Sequence, residues 1–285
     1  MKIEFEDPLF GSAVRAIDEG NISELRQMLE SNPELISQRA DNPVDGYFQY
    51  PYLLWFIADN PIRNGKLPAN IVDIASLLID TASKYAQDSF QHQINYAAGL
   101  VETGRIPRES GVQIQLLNLL FENGVTPGDG HGALANGNFE AAKHIVEKSG
   151  KVTLAAAVCL FGVEEVKKLL VNASAEDKQI ALMTACFYGK TEMISLLLES
   201  GADPSGYITR GFHTHASPLH QAVFSGSLDA VKLLVNAGAN LNAVDKVYDG
   251  TPWGWAEYMQ TETSDELEKK KYKEIEDYLA ARLNN

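Results

Sequence analysis

Cysteine is scarce in this chain: Cys159 and Cys186 are the two thiols among 285 residues. Two thiols do not make a disulfide framework in a chain this long. A thiol-reducing, cytoplasmic setting is therefore the expectation. Basic residues are also few. Lys and Arg number 24 against 38 Asp and Glu, giving a formal charge of −14. Binding to DNA or RNA needs cationic surface to displace counterions from phosphates. Anionic membrane surfaces make the same demand, so neither is an expected partner. The charge suits solubility and is compatible with a basic partner. Long apolar runs are missing too. Stretches such as LLWFIA and TLAAAVCLFG fall far short of the ~20 residues a membrane span requires. The opening MKIEFEDPLF holds one lysine, then acids, and no apolar core, so no secretory leader is expected. Also absent are a serine elbow, a phosphate loop, a dinucleotide fingerprint and a zincin motif. GDGHG at 128–132 is glycine-rich but follows no strand of a βαβ unit, and reads as a turn.

What is present is an ordinary globular composition, 45% hydrophobic and 22% charged, long enough to bury a sizeable core. It is organised as a repeat. Four segments align: TLAAAVCLFGVEEVKKLL from Thr153, IALMTACFYGKTEMISLLLESGADP from Ile180, SPLHQAVFSGSLDAVKLLVNAGANLNA from Ser217 and DGTPWGWAEY from Asp249. Three of them have a Leu or Trp at the third position (Leu182, Leu219 and, counted from Thr251, Trp253), and all four have Ala or Val at the sixth. The first three add a Gly at the tenth position. Those glycines, Gly162, Gly189 and Gly226, are 27 and 37 residues apart. The pattern predicts two short antiparallel helices per unit. The first approaches its neighbours closely through small residues and ends at the Gly. The second is amphipathic, with apolar residues at i, i+3 and i+4 in EEVKKLLV and LDAVKLLVNAG. Gly201 and Gly238 follow as helix-ending residues.

The stretches SPLHQAV, DGTPWGWA, SGADP and NAGANLNA carry a resemblance to the ankyrin repeat. The match is specific over 177–256 and good over 151–176. Upstream it is weaker, in GSAVRAIDEGNISELRQMLESNPEL (with Gly20 ending the first helix), PYLLWFIADN with IVDIASLLIDTA, NYAAGLVETG with VQIQLLNLLFENGVTP, and GALANGNFEAAKHIVEKSG. The resemblance implies an all-α fold: an α-solenoid of about eight stacked helix–turn–helix repeats with short hairpin fingers. The expected division of this single solenoid is divergent repeats at 7–127, a truncated repeat at 128–150, well-matched repeats at 151–260 and a capping helix at 261–285. Residues 37–50 read as an enlarged connector. Insertions at 59–70 and 103–113 read as loops that emerge on one edge of the stack. For the last helix, Thr263, Ser264 or Asp265 is the expected N-cap, and Ile275, Tyr278 and Leu279 the apolar stripe.

Several residue groups are candidates for chemistry. YITRGFHTHASPLHQAV holds three of the chain's six histidines in eight positions. The resemblance gives His220 a structural role, its ring bonding backbone between repeats. His213 and His215 fall in an overlong finger, where a His-x-His pair has the spacing of a zinc chelate but lacks a third ligand. Cys159 and Cys186 occupy the seventh position of successive repeats. At a helix spacing of roughly 10 Å they cannot meet the ~7 Å Cα limit of a disulfide, and inert thiols are expected. Three arginines near Trp55 in the inserted loops (Arg63, Arg105 and Arg108) are the residues that would receive an anion or carboxylate.

The resemblance also implies that the eighth and ninth positions of each repeat face the concave groove. Here they hold Leu160 and Phe161, Phe187 and Tyr188, Phe224 and Ser225, Tyr258 and Met259. Over them stand the fingers, with Tyr207, Arg210, Phe212, His213 and His215 in one, and Asp245, Tyr248, Asp249 and Trp253 in the next. Trp253 fills a core leucine slot. Aromatic rings in an exposed row suit a binding surface. The leading expectation is a non-enzymatic, monomeric protein-interaction module without a cofactor, whose partner is a protein. The alternative is a metal or small-ligand site at His213 and His215 or at the arginine-bearing loops.

Overall fold

A computed structural model describes residues 5–40, 50–211 and 213–284. Residues 41–49 of the expected connector, and Phe212 in the long finger, lie outside the described residues. The chain divides into two compact units, Met1–Lys151 and Val152–Asn285. Among the described residues both units are helical, with no strand beyond an isolated Arg39–Tyr52 bridge.

The first unit contains α1 (Pro8–Glu19), α2 (Ile22–Ser31), α3 (Ile71–Tyr85), α4 (Gln87–Thr103), α5 (Arg105–Glu109), α6 (Gln113–Glu122), α7 (His131–Ala135) and α8 (Phe139–Ser149). Two 3-10 segments, Pro33–Ile36 and Leu53–Ala58, lie between α2 and α3. The Asp7 carboxylate caps α1 by accepting from the Leu9 amide at 2.8 Å, and Gly20 ends it at φ 76°. Four pairs result: α1 with α2, Leu53–Ala58 with α3, α4 with α6, and α7 with α8. Within the unit, α1, Leu53–Ala58, α4 and α7 follow one another in one row, and α2, α3, α6 and α8 in a second. The second repeat thus departs from its expected form: its first helix is a 3-10 segment, all six residues of which are buried.

The insertions are built, not loose. Asp59 is buried and accepts from the amides of Arg63, Asn64 and Gly65. Arg63 grips both Asp18 carboxylate oxygens, at 2.7 and 3.1 Å, and lies 4.8 Å from the Phe56 ring centre. The second insertion forms the helical turn α5 where a plain loop was expected. The Leu67 amide donates to the Ser110 hydroxyl, so the two insertions meet on one side of this unit.

The second unit contains α9 (Leu154–Leu160), α10 (Val163–Leu170), α11 (Ala175–Phe187), α12 (Thr191–Glu199), α13 (Pro218–Phe224), α14 (Leu228–Asn236), α15 (Pro252–Glu262) and α16 (Glu266–Leu283). The pairs are α9–α10, α11–α12, α13–α14 and α15–α16, with α9, α11, α13 and α15 in one row and α12, α14 and α16 in the other. Val158, Ala185, Ala222 and Ala256, all at the sixth repeat position, are buried along the first row. α11 begins five residues before the repeat pattern does, because Ser174 and Asp177 form a reciprocal capping box. Gly189 ends the same repeat's first helix at φ 60°. A Cβ there would also come within 3.1 Å of Ser227, so both backbone and space call for glycine. Asp265 caps α16 by accepting from Leu267 and Glu268 amides. Ile275 and Leu279 are buried as expected, Tyr278 is half-buried, and Tyr272 joins them, its hydroxyl donating to the Phe224 carbonyl at 3.1 Å.

Candidate partner-binding surface

Two fingers of the second unit, between α12 and α13 and between α14 and α15, are stitched to each other. The Tyr207 hydroxyl donates to the Val244 carbonyl at 2.6 Å, the Asn240 amide to the Ser205 hydroxyl at 2.9 Å, and the Lys246 amide to the His215 carbonyl at 2.9 Å. The first finger is also tied to α11. Gln179 exchanges hydrogen bonds with the Asp203 backbone, and Arg210 bonds Glu176 and Asp177 at 3.0 and 3.4 Å. Tyr207 and Arg210 therefore serve as fasteners of the finger.

The second finger is organised around one carboxylate. Asp245 is buried, and accepts from the amides of Val247, Tyr248 and Gly250 and from the Trp255 indole. Burial alone would raise its pKa. The four donors outweigh that and bring it down to about 2, the Tyr248 amide and the Trp255 indole foremost. Beside it, His220 Nε2 donates to the Gly250 carbonyl at 3.0 Å, and Nδ1 accepts from the Ser217 amide at 3.2 Å. A carbonyl carries no proton, so this pairing fixes the neutral Nε2–H tautomer. Burial also holds the imidazole below its ordinary value. His220 thus ties α13 to the finger ahead of α15.

A continuous row of rings runs past these fasteners. Phe187 and Phe224 stack at 5.2 Å between centres and 14° between planes. His213 lies 5.0 Å from Phe187 and 5.9 Å from Phe224, and His215 follows 5.7 Å from His213. His215 then meets Tyr248 edge-on at 6.3 Å and Trp255 at 6.1 Å. Tyr188 packs edge-on against Phe187 at 4.8 Å. Phe224 is 37% exposed, Tyr248 76% and Tyr258 59%. One repeat earlier, Leu160 is half-buried and Phe161 is 37% exposed. Burial, and after it the neighbouring His215, hold His213 below the ordinary imidazole value.

The other chemical candidates lead elsewhere. Among the described residues no three His, Cys, Asp or Glu side chains gather as a metal-ligand set. Cys186 is buried and its thiol is pushed up, while burial raises Cys159 to about 12, opposed by Lys190. A thiol held that far from its thiolate is a poor nucleophile. Arg63 is engaged by Asp18 and the Phe56 and Pro61 carbonyls. Arg108 bonds Asn138 at 2.7 Å and Arg105 bonds Glu109 at 2.9 Å. Trp55 is buried and stacked on Tyr96 at 3.9 Å.

A family model of ankyrin repeats in three copies matches residues 109–245. Residues 109–245 carry ankyrin repeats. Sequence relatives include the inactive serine/threonine-protein kinase TEX14 of Bos taurus, 30% identical over 125 residues, 44% of this chain and 8% of that protein. The transient receptor potential cation channel subfamily A member 1 of Homo sapiens is 29% identical over 126 residues, 44% of this chain and 10% of the channel. The tyrosine-protein kinase HTK16 of Hydra vulgaris is 28% identical over 89 residues, 29% of this chain and 12% of the kinase. The chain thus spans about a tenth of the length of the curated relatives it matches. The human ASB11 ankyrin repeat domain aligns over 94% of this chain and 96% of that one, at 16% identity. Its TM-score of 0.36 is too low for the likeness to bear on the fold.

Ankyrin repeats in general mediate protein–protein interaction and are typically non-enzymatic. Among the described residues no helix is long and apolar enough to cross a membrane. At the second finger, sequence reasoning missed Trp255. It takes the repeat position held by Thr184 and Gln221 in the two preceding repeats, and its indole donates to Asp245, ten residues earlier. The WGW triplet, two tryptophans in an inner helix where small residues prevail, was the available signal.

Proposed function

We propose that the chain is a non-enzymatic binding module that holds a protein partner on the ring row of its second unit. The observation that carries this reading is the continuity of Phe187, Phe224, His213, His215 and Tyr248, partly exposed rings held by fastened fingers. The Asp245 and His220 hydrogen bonds already account for the fold of the second finger, and burial of the core does not require Tyr248 or Tyr258 to face solvent. Exposed aromatic area on a rigid support is what interface hot spots use, because rings bring large contact area at low entropy cost. Leu160 and Phe161 extend the same register by one repeat.

The test is a Phe187→Ala/Tyr188→Ala double variant. Wild type and variant are compared by affinity capture from the native host, with mass spectrometry to identify what is retained. The double variant is expected to keep its far-ultraviolet circular dichroism and to lose the partner that wild type retains. Undiminished capture of the same partner by the folded variant would remove the proposal.

A further inference from the structure

The open end of the ring row differs from the rest in its charge. Tyr248 and Tyr258 are its most exposed rings. Tyr258 and Glu262 stand one turn apart on α15, and both Glu262 and Tyr248 lie close enough to the Tyr258 hydroxyl to act on it electrostatically. Asp249 follows Tyr248 and Glu257 precedes Tyr258, and with Glu262 all three carboxylates are exposed. The cations of the adjoining fingers are engaged elsewhere: Lys246 lies over the Tyr207 ring at 4.4 Å, and Arg210 bonds Glu176 and Asp177. Exposed ring faces bordered by uncompensated carboxylates favour a cation. The other end of the row, the stacked Phe187 and Phe224, favours an apolar side chain.

We propose that this surface receives a protein segment that seats an apolar side chain on Phe187 and Phe224 and a Lys or Arg side chain over Tyr248 and Tyr258, in the combined field of Asp249, Glu257 and Glu262. This rests on the reading of the row as a partner-binding surface. Phe224 and Tyr258 hold the same position in successive repeats. Stacked helices lie about 10 Å apart, so the two anchors fall roughly three residues apart in an extended segment. The basic anchor gives the interaction a salt dependence and speeds encounter.

The experiment pans a phage-displayed library of random peptides against the full chain. Enriched peptides are then synthesised and titrated against wild type, an Asp249→Asn/Glu257→Gln/Glu262→Gln variant and a Glu262→Gln single variant. All three substitutions are exposed and nearly isosteric, and Asn tolerates the φ of 54° at position 249. The expected result is enrichment of a Leu or Phe about three residues from a Lys or Arg. Affinity should fall about tenfold on the triple variant, less on the single one, and with added salt for wild type. Enrichment of neutral apolar peptides would overturn the cationic anchor and leave the row standing as a binding surface. Basic peptides that bind the triple variant as well as wild type would overturn its placement. No enrichment above the Phe187→Ala/Tyr188→Ala background would overturn the binding surface and this proposal with it.

Discussion

Asp245 gathers four donors onto one buried carboxylate, and those donors come from the five residues that follow it in its own finger and from α15. An amide in its place would present an NH2 group to at least one N–H and lose the charge assistance of the rest. Asp245→Asn is expected to cost about 2–3 kcal/mol in urea unfolding, and a cost within experimental error would show that the finger is held by other contacts. The same neighbourhood sets a pH dependence. His213 and His220 are both held below the ordinary value, chiefly by burial. Their neutral forms belong to the fold, so their contribution is complete above the unfolded imidazole value of ~6.5 and is lost as pH falls below it. His144 in the first unit shifts in the same direction, through burial and Lys148. Asp245 acts lower down: its stabilisation is present above its ordinary 3.8 and lost as pH falls toward about 2. The melting temperature is therefore expected to decline between pH 7 and pH 5, flatten, and decline again below pH 4. His213→Asn keeps a residue that accepts the φ of 57° at that position and should shrink the first decline. An unchanged first decline in that variant would exclude His213 as a contributor.

Helices in the second unit were legible because their packing is written locally. Val158, Ala185, Ala222 and Ala256 recur at one position, and closely approaching helices leave room for little else. Gly189, Gly201 and Gly238 mark helix ends that the structure reproduces with positive φ. The first unit was less legible for an equally physical reason. Besides its local Asp59 bonds, the first insertion is anchored by Arg63 reaching Asp18, 45 residues away. No local pattern encodes that pairing. The ring row was half legible: repeat register put Phe187, Phe224 and Tyr258 on one face, while the bridging by His213 and His215 depends on finger geometry. The last helix shows the same division. Ile275 followed from its spacing, but Tyr272 emerged as a core residue only through its bond to the end of α13. Ile275 is fully buried, so Ile275→Ala is expected to destabilise by about 2–5 kcal/mol. Lys270→Ala, on the exposed face of the same helix, should stay within ~0.5 kcal/mol. Equal effects at the two positions in denaturant titrations would mean that α16 does not close the core.

Charge acts on the molecule as a whole. A formal charge of −14 makes the folded chain repel itself, and compaction raises that cost. The ion pairs opposing it are mostly short-range helix pairs with exposed partners: Lys167 with Glu164, Lys168 with Glu165, Lys143 with Glu147, Lys269 with Glu266. Pairs of this kind contribute about 0.3–0.5 kcal/mol each at best and are screened by salt. Arg63 with Asp18 is the better-protected case, and low exposure shields it from that screening. Salt therefore weakens both the repulsion and the surface pairs, and the repulsion is the larger, because 14 acidic charges have no basic counterpart anywhere in the chain. The melting temperature is expected to rise by a few degrees as the ionic strength goes from about 0.01 M to 0.15 M, where the Debye length shortens from ~30 to ~8 Å. The rise should be smaller at pH 5 than at pH 7, since newly protonated histidines and carboxylates cut the net charge. A melting temperature that falls with salt at pH 7 would instead place the balance with the surface ion pairs.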